Sequence, residues 1–165
     1  EPTGNQRNVL IESARISRGN INDLAGAKGT DVNGWVFPGG FGAAKNLCNV
    51  ATAGGDAEPN AEVARAINEA LESQIPIGAC CIAPAMLASA VKGTGRSLRL
   101  TIGNDEGTAG AIEAMGSQHV NCAVDSTVED GDNRVVTAPA YMYDESISQV
   151  AKGIEAMVNT VVSWA

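Results

Sequence analysis

The chain has 165 residues, of which 44% are hydrophobic and 4% aromatic, and it contains 19 glycines. This composition suffices for one domain, and small aliphatic side chains joined by tight turns favour a layered α/β fold over a β-sandwich. A formal net charge of −8 argues against nucleic-acid binding, and prolines interrupt the uncharged stretch 75–91, so we predict no nucleic-acid partner and no membrane insertion.

The first half of the chain predicts three helices, a short strand and a polar loop. Residues 7–17 carry apolar side chains near helical spacing and end before Gly19, whereas the WVF core of residues 31–40 is typical of a buried strand that ends in a glycine turn. A helix begins in the segment FGAAKNL, and the segment TAGGDAEPN forms a loop. Residues 60–74 place an apolar stripe on one helical face and end before Pro76.

The second half alternates strands and helices. We predict strands at 77–81, 98–103, 119–120, 123–128 and 134–137, and helices at 84–91, 108–115 and 146–164. Such alternation indicates a mostly parallel sheet with helices on both faces. We find no internal repeat and no shift in composition, so we predict a single domain over residues 1–165.

The four cysteines follow no disulfide or metal pattern. Cys48, Cys80, Cys81 and Cys122 include no C-x-x-C pair and are too few for a secreted disulfide scaffold. The chain has one histidine, so zinc binding is not expected. We therefore predict a reducing intracellular compartment and neither metal nor cofactor, with Cys48 and Cys122 as buried small residues.

The stretch IPIGACCIAPAML, residues 75–87, places two adjacent cysteines between a strand and a helix. A nucleophile elbow needs small residues two positions before and after the nucleophile, because the backbone nearly touches itself there. Cys81 has an alanine at each of these positions, whereas Cys80 is followed by the bulky Ile82. Cys81 would then precede a helix N-terminus, whose amides stabilise a thiolate. The alternative is that both cysteines are buried strand residues.

The turn Pro38-Gly39-Gly40 offers an oxyanion hole, because glycines at the end of a strand let backbone amides face a ligand. A plain left-handed turn is the alternative. The segment GFGAAK suggests dinucleotide binding, but its glycine pattern is incomplete and the next strand lacks a terminal acidic residue. We interpret His119 as a structural histidine. We also predict a solvated acidic surface, formed by Asp105, Glu106, Asp125, Glu129, Asp130 and Asp132.

Four segments together resemble the ElbB branch of the ThiJ/PfpI superfamily, which is itself similar to class I glutamine amidotransferases. They are PGGFGAAKNL, GACCIAPAML, LRLTIG and VTAPAYM, and the similarity extends along the whole chain. It implies a flavodoxin-like three-layer sandwich. The site residues that it implies are Cys81 as the reactive cysteine, Gly39, Gly40 and Ile82 for the oxyanion hole, and Thr137, Ala138 and Pro139 along the cleft.

The resemblance also implies an activity and a setting. The activity is glyoxalase-type, cofactor-free conversion of a small aldehyde or dicarbonyl such as glyoxal, or a related deglycase reaction. The implied protein is a homodimer or a subunit of a larger assembly, in the cytoplasm or an organelle matrix, with the mitochondrion favoured for a eukaryotic source. The alternative hypothesis is a non-catalytic redox-sensing or structural subunit with the same fold.

Three departures from the family pattern bear on activity. Members of the branch begin with an SGCGVYDGSEIHE-like segment whose glutamate hydrogen-bonds the cysteine. No counterpart precedes Glu1, so we expect a domain that lacks its N-terminal strand–helix–strand and is inactive by itself. Peptidase members have histidine in place of Ile82, and glutaminases have H-P-E in place of Ala138-Pro139-Ala140. Proteolysis and amide hydrolysis are therefore not expected.

Overall fold

A computed structural model describes residues 7–165, in which helices and strands alternate along the chain. The strands are β1 (Trp35–Phe37), β2 (Ile77–Cys80), β3 (Arg99–Leu100), β4 (Gln118–His119), β5 (Val128–Asp130) and β6 (Val135–Ala138). The α-helices are α1 (Val9–Ile16), α2 (Val50–Ala53), α3 (Ala61–Glu72), α4 (Ala83–Val91), α5 (Glu106–Ala114) and α6 (Ile147–Trp164). Short 3₁₀ helices cover Leu24–Gly26, Gly54–Asp56 and Ala140–Met142.

Four strands form the main sheet in the order β1-β2-β6-β5. The first three are parallel, with Trp35 opposite Ile77 and Ile77 opposite Val135, while β5 runs antiparallel to β6. β3 and β4 form a separate parallel pair. Because β1, β2 and β6 end at the same edge of the sheet, the turns that follow them meet there. The mostly parallel sheet predicted from the sequence is confirmed.

Helices cover both faces of the main sheet and give the three layers of a flavodoxin-like fold. On one face α3 and α4 pack against Ile77 and Ala79, and on the other face α6 packs near Cys80. Gly78 lets α6 approach the sheet, since a Cβ there would lie 2.8 Å from a methyl group of Val161. All residues of α4 are buried, so the helix that follows β2 is held firmly in the core.

Side chains at the N-termini explain where four helices begin. Asn8, Asn60, Asp105 and Ser146 each accept a hydrogen bond from a backbone amide in the first turn of α1, α3, α5 and α6, respectively. Each bond satisfies an amide that has no partner within its helix. The apolar stripe predicted for α3 is buried against the sheet.

The strand predicted over residues 98–103 is shorter than expected. Only β3 forms, because the amides that follow it bond to side chains and not to a neighbouring strand. The Thr101 amide donates to the Thr137 hydroxyl at 2.9 Å, and the Ile102 amide donates to His119 Nε2 at 3.3 Å. The backbone is thus satisfied without ladder pairing.

The strand predicted over 123–128 is wrong except at its last residue, because a turn closed by the Ser126 amide and the Ala123 carbonyl precedes β5.

The prediction that the acidic residues of the second half are all solvated is wrong for one of them. Asp130 is only 8% exposed, and its carboxylate accepts the Arg99 amide at 2.9 Å. A buried carboxylate needs such partners.

The segment between β1 and α3 is more helical than predicted. FGAAKNL forms a single π-helical turn over Ala43–Leu47, which ends at Cys48. The predicted loop over 52–60 contains the end of α2 and a 3₁₀ helix. The Asn49 side chain accepts the Glu58 amide at 2.7 Å and so closes this segment into compact turns.

The expectation of an incomplete N-terminal region concerns Glu1 and what precedes it, and it lies outside the described residues. Within residues 7–165, no helix is both long enough and apolar enough to cross a lipid bilayer.

Candidate active site

Cys81 lies at the sharp turn between β2 and α4. Its φ is +60°, a left-handed conformation that is uncommon for residues other than glycine. Its amide donates to the Ala138 carbonyl at 3.1 Å, so the pairing of β2 with β6 continues to the turn itself. Ile82 then caps the N-terminus of α4. This is the backbone geometry of a nucleophile elbow, in which strain is maintained by the surrounding structure.

Gly39 packs directly behind the Cys81 turn. A Cβ at position 39 would lie 2.6 Å from Cys81 Cβ, 2.8 Å from the Cys80 carbonyl oxygen and 2.9 Å from the Ile82 nitrogen. Gly40 follows with φ +91°. The turn after β1 therefore touches the turn after β2 through backbone atoms, an approach that only glycine permits at position 39.

Cys81 faces a cavity of about 550 Å³, a volume ordinary for small-molecule sites. Its wall is formed by several segments: the turn after β1 with the π-helical turn that follows it, α2 with the adjoining 3₁₀ helix, the start of α4, α5, and the 3₁₀ helix after β6. Apolar side chains dominate the wall, and they are those of Phe41, Ala44, Val50, Ile82, Ala111 and Met142.

The polar groups of the cavity are few and carry no formal charge. Besides the half-buried Cys81 thiol, the wall includes the hydroxyls of Thr108 and Tyr141. Within residues 7–165, the wall has no Asp, Glu, His, Lys or Arg. In the same part of the chain, the amides of Gly40 and Ile82 have no hydrogen-bond partner. Gly40 and Ile82 both belong to the cavity wall beside Cys81.

Cys80 occupies a different environment from Cys81. It is 7% exposed and belongs to the apolar cluster on the α6 face of the sheet. Burial raises the pKa of the Cys80 thiol, and the nearby Gly39 backbone lowers this pKa to a smaller extent. A buried neutral thiol is a poor nucleophile. Of the predicted oxyanion-hole residues, Gly40 and Ile82 reach the cavity wall, whereas Gly39 lies behind it.

The structure does not expose the three residues expected along the cleft. Thr137, Ala138 and Pro139 are buried, and none of them belongs to the cavity wall. The reason is that β6 is an inner strand that contacts α6 and β3, so its side chains fill the core beneath the site. This segment contacts the Cys81 turn through its backbone, since the Ala138 carbonyl accepts a hydrogen bond from the Cys81 amide.

Thr137 has a structural role that can be tested. Replacement by valine preserves its shape but leaves the buried Thr101 amide without its acceptor. We expect Thr137→Val to lower the free energy of unfolding by about 1–3 kcal/mol, because an unpaired buried donor keeps its full desolvation penalty. Urea unfolding measures the change, with the exposed Thr52→Val as the matched control. An unfolding curve identical to that of the wild type would contradict this role.

The single histidine has a structural environment, as we interpreted it. His119 Nε2 accepts the Ile102 amide, which requires the neutral ring, and burial lowers the pKa of His119. Burial also raises the pKa of the Cys48 and Cys122 thiols, of which Cys48 is buried and Cys122 half-buried. In the described part of the chain, no group of three or more His, Cys, Asp or Glu residues is placed to hold a metal ion.

Sequence reasoning missed most of the cavity wall. Phe41 and Tyr141 flank the opening with 77% and 61% of their surfaces exposed, and Thr108 and Ala111 approach from α5. An aromatic residue that directly follows a glycine turn at the end of a strand, as Phe41 does, is a signal that could have identified one side of the opening.

Two curated mitochondrial proteins resemble the chain along nearly its whole length. It is 42% identical to the glutamine amidotransferase-like class 1 domain-containing protein 3, mitochondrial, of Homo sapiens, over 96% of this chain and 61% of that protein. It is 41% identical to the ES1 protein homolog, mitochondrial, of Rattus norvegicus, over 94% of this chain and 60% of that protein. The chain therefore spans about 60% of the length of these relatives.

Solved structures show the same similarity. An isoprenoid biosynthesis protein with an amidotransferase-like domain from Ehrlichia chaffeensis superposes with a TM-score of 0.88 and 36% identity, over 99% of this chain and 74% of that chain. The Rapid Encystment Protein 24 kDa of Francisella tularensis shares the fold alone, with a TM-score of 0.59 and 16% identity over 85% of this chain and 63% of that chain. No protein-family model matches the chain.

Proposed function

The chain belongs to the amidotransferase-like family of the ElbB-like proteins and the mitochondrial ES1 homologues, and from this membership we propose that the whole protein is a cysteine-dependent enzyme of the glyoxalase type. It converts a dicarbonyl compound to a hydroxy acid without a cofactor. The observation that supports the proposal is the position of Cys81, a half-buried thiol at a turn with φ +60° that faces a cavity of about 550 Å³.

The first step is addition of the Cys81 thiolate to the aldehyde carbon. A carbon–sulfur bond forms, the π bond of the aldehyde breaks, and its oxygen takes up a proton to give a hemithioacetal. Negative charge develops on this oxygen before it is protonated. The unpaired amides of Gly40 and Ile82 stabilise that charge.

The second step is an internal exchange of oxidation level between two substrate carbons. A base removes the hydrogen on the hemithioacetal carbon as a proton, and its electron pair passes to the neighbouring carbonyl through an enediol. Return of a proton to the second carbon leaves a thioester and an alcohol, so no external oxidant is required. Water then hydrolyses the thioester, which releases the hydroxy acid and restores the thiol.

The described residues of the cavity wall offer no carboxylate, imidazole or amine that could act as the base for the second step. The family resemblance assigns this task to a glutamate that hydrogen-bonds the cysteine in an N-terminal segment. The proposal therefore concerns the full-length protein, and it does not include glutamine hydrolysis, for which a histidine beside the thiol is needed.

The direct test is chemical. Full-length protein incubated with glyoxal is expected to release glycolate, and peptide mass mapping of acid-quenched samples is expected to find an acyl adduct on Cys81. Protein pretreated with iodoacetamide is the control, because the alkylated thiol can form neither the adduct nor the product. If neither glycolate nor an adduct on Cys81 forms, the proposal is wrong.

The absence of a base from the described wall also favours a second candidate, a thiol-based redox sensor. In this case a peroxide oxidises the Cys81 thiolate to a sulfenic acid and is itself reduced to water or an alcohol. The two functions are distinguished by two measurements on the same protein. A sensor is expected to form sulfenic acid at Cys81 with hydrogen peroxide and to release no hydroxy acid from glyoxal.

We also propose a location and an assembly. The two curated relatives carry the description mitochondrial in their names, so we propose the mitochondrial matrix for a eukaryotic source. A homodimer or a larger assembly is supported by α1, which buries none of its residues and leaves Ile11 and Ile16 60% and 89% exposed.

A further inference from the structure

The cavity beside Cys81 is much larger than glyoxal requires, and its described wall is uncharged. We infer that it selects uncharged dicarbonyls with an aliphatic tail, so that alkyl-substituted 2-oxoaldehydes are better substrates than glyoxal itself. The inference rests on the proposed function for the reaction, whereas the preference for an apolar tail follows from the cavity alone.

The wall provides contacts for a hydrocarbon chain. Val50, Ala111 and Met142 contribute aliphatic surface, and each buried methylene gains about 0.8 kcal/mol by leaving water. A two-carbon dicarbonyl at Cys81 has no chain with which to use this surface. A longer alkyl group bound through its aldehyde carbon would extend away from the sulfur along the wall.

The few polar side chains of the wall offer little to a charged ligand. The Thr108 hydroxyl interacts with the Asp105 carboxylate, which also accepts the Thr108 amide at 2.8 Å. A phosphate or carboxylate on the ligand would therefore lose its hydration without gaining an ion pair within the described residues. The described wall therefore disfavours phosphorylated and carboxylated aldehydes, and it also disfavours glycated proteins.

The opening of the cavity continues the apolar character of the wall. Phe41 and Tyr141 are the exposed aromatic residues at its edge, and exposed apolar side chains beside a cavity are typical of ligand sites. The Lys45 ammonium lies 5.1 Å from the centre of the Phe41 ring and does not belong to the wall. A tail longer than the cavity would thus leave between two aromatic rings.

The substrate test compares glyoxal, methylglyoxal and 2-oxoheptanal with the full-length protein. We expect kcat/KM for hydroxy acid release to rise by about fourfold for each added methylene until the cavity is filled. A flat or falling series, with Cys81-dependent turnover of glyoxal, would overturn the inference and leave the proposed function intact.

A labelling test separates the inference from the proposed function, because it needs no turnover. Cys81 and Cys122 are labelled with N-ethylmaleimide and N-hexylmaleimide, and peptide mass spectrometry gives the rate at each thiol. We expect the hexyl-to-ethyl rate ratio to be about tenfold or more higher at Cys81 than at Cys122, since four more methylenes are buried only at Cys81. Equal ratios at the two thiols would overturn the inference even if dicarbonyls are turned over. If no dicarbonyl is turned over, the proposed function is wrong, and the labelling ratio still tests whether the cavity binds an aliphatic tail.

A cavity-filling variant makes the same test sharper. Ala111→Leu adds bulk to the wall and is expected to reduce the hexyl-to-ethyl ratio at Cys81 by about fivefold or more, because shape change in a packed site excludes the longer ligand. Ala151→Leu, at an exposed position of α6, is the matched control. A ratio that responds equally to both variants would contradict the assignment of the tail to this cavity.

Discussion

Replacing Cys81 with serine is expected to lower glycolate production by full-length protein by about a thousandfold or more. Serine fits the same turn, but its hydroxyl ionises far less readily than a thiol and needs a base beside it. The described cavity wall has no such base, and the glutamate that the family resemblance places beside residue 81 is too weak a base to ionise an alcohol. The hydroxyl would therefore remain protonated, and addition to the aldehyde would fail although the fold is retained. Steady-state assays, with circular dichroism to verify folding, measure the effect.

The controls for this prediction are the other thiols. Cys122→Ser changes a half-buried cysteine outside the cavity and is expected to retain wild-type rates within about twofold. Equal rates for Cys81→Ser and Cys122→Ser would refute nucleophilic catalysis at position 81. Cys80→Ala is a second control. Because Cys80 is buried on the α6 face, we expect this variant to lower the free energy of unfolding but still to form the Cys81 adduct.

The turn at Cys81 was predictable because its constraint is local. Two alanines flank the cysteine at the positions where an elbow has no room, and the following proline suits the first turn of a helix. The alternation of strands and helices likewise predicted the parallel sheet, since each crossover helix has to cover a face of it. These features depend on residues a few positions apart.

The walls of the site were not predictable in the same way. Phe41, Thr108 and Tyr141 are separated by many residues, and their meeting depends on how the turn after β1, the helix α5 and the 3₁₀ helix after β6 are arranged. The expectation that residues 137–139 line the cleft failed for a related reason. The expectation assigned the cleft positions of the family to these residues. It did not take into account that β3 packs over β6 and buries them.

The two strand errors have a common physical origin. Hydrophobic patterns report burial, and residues 98–103 and 123–128 do contain buried positions. Whether a buried segment is a strand depends on which partner satisfies its backbone. In residues 98–103 the Thr137 hydroxyl and the His119 ring accept two amides, and no short-range pattern reveals those partners. In residues 123–128 the Ala123 carbonyl accepts the Ser126 amide within a turn.

The contact between Gly39 and the elbow joins the local prediction to the global arrangement. The glycine turn was expected to present amides to an oxyanion, yet the structure brings Gly39 against the backbone of residues 80–82. Its main contribution is therefore steric, because it lets the turn after β1 support the strained conformation of Cys81. Gly40, one position later, is the part of the turn that reaches the cavity.

Gly39→Ala is accordingly expected to lower the free energy of unfolding by about 3 kcal/mol and the melting temperature by about 6–12 °C, because the new Cβ meets backbone atoms that cannot rotate away. Its predicted contacts of 2.6–2.9 Å all lie on the Cys81 turn, so the rate of Cys81 alkylation by iodoacetamide should change as well. Gly42→Ala is the matched control, since a Cβ there meets only a flexible side chain at 4.0 Å and the backbone is already helical. That control should be neutral or slightly stabilising. Equal melting temperatures for the two variants would show that the two turns do not support each other.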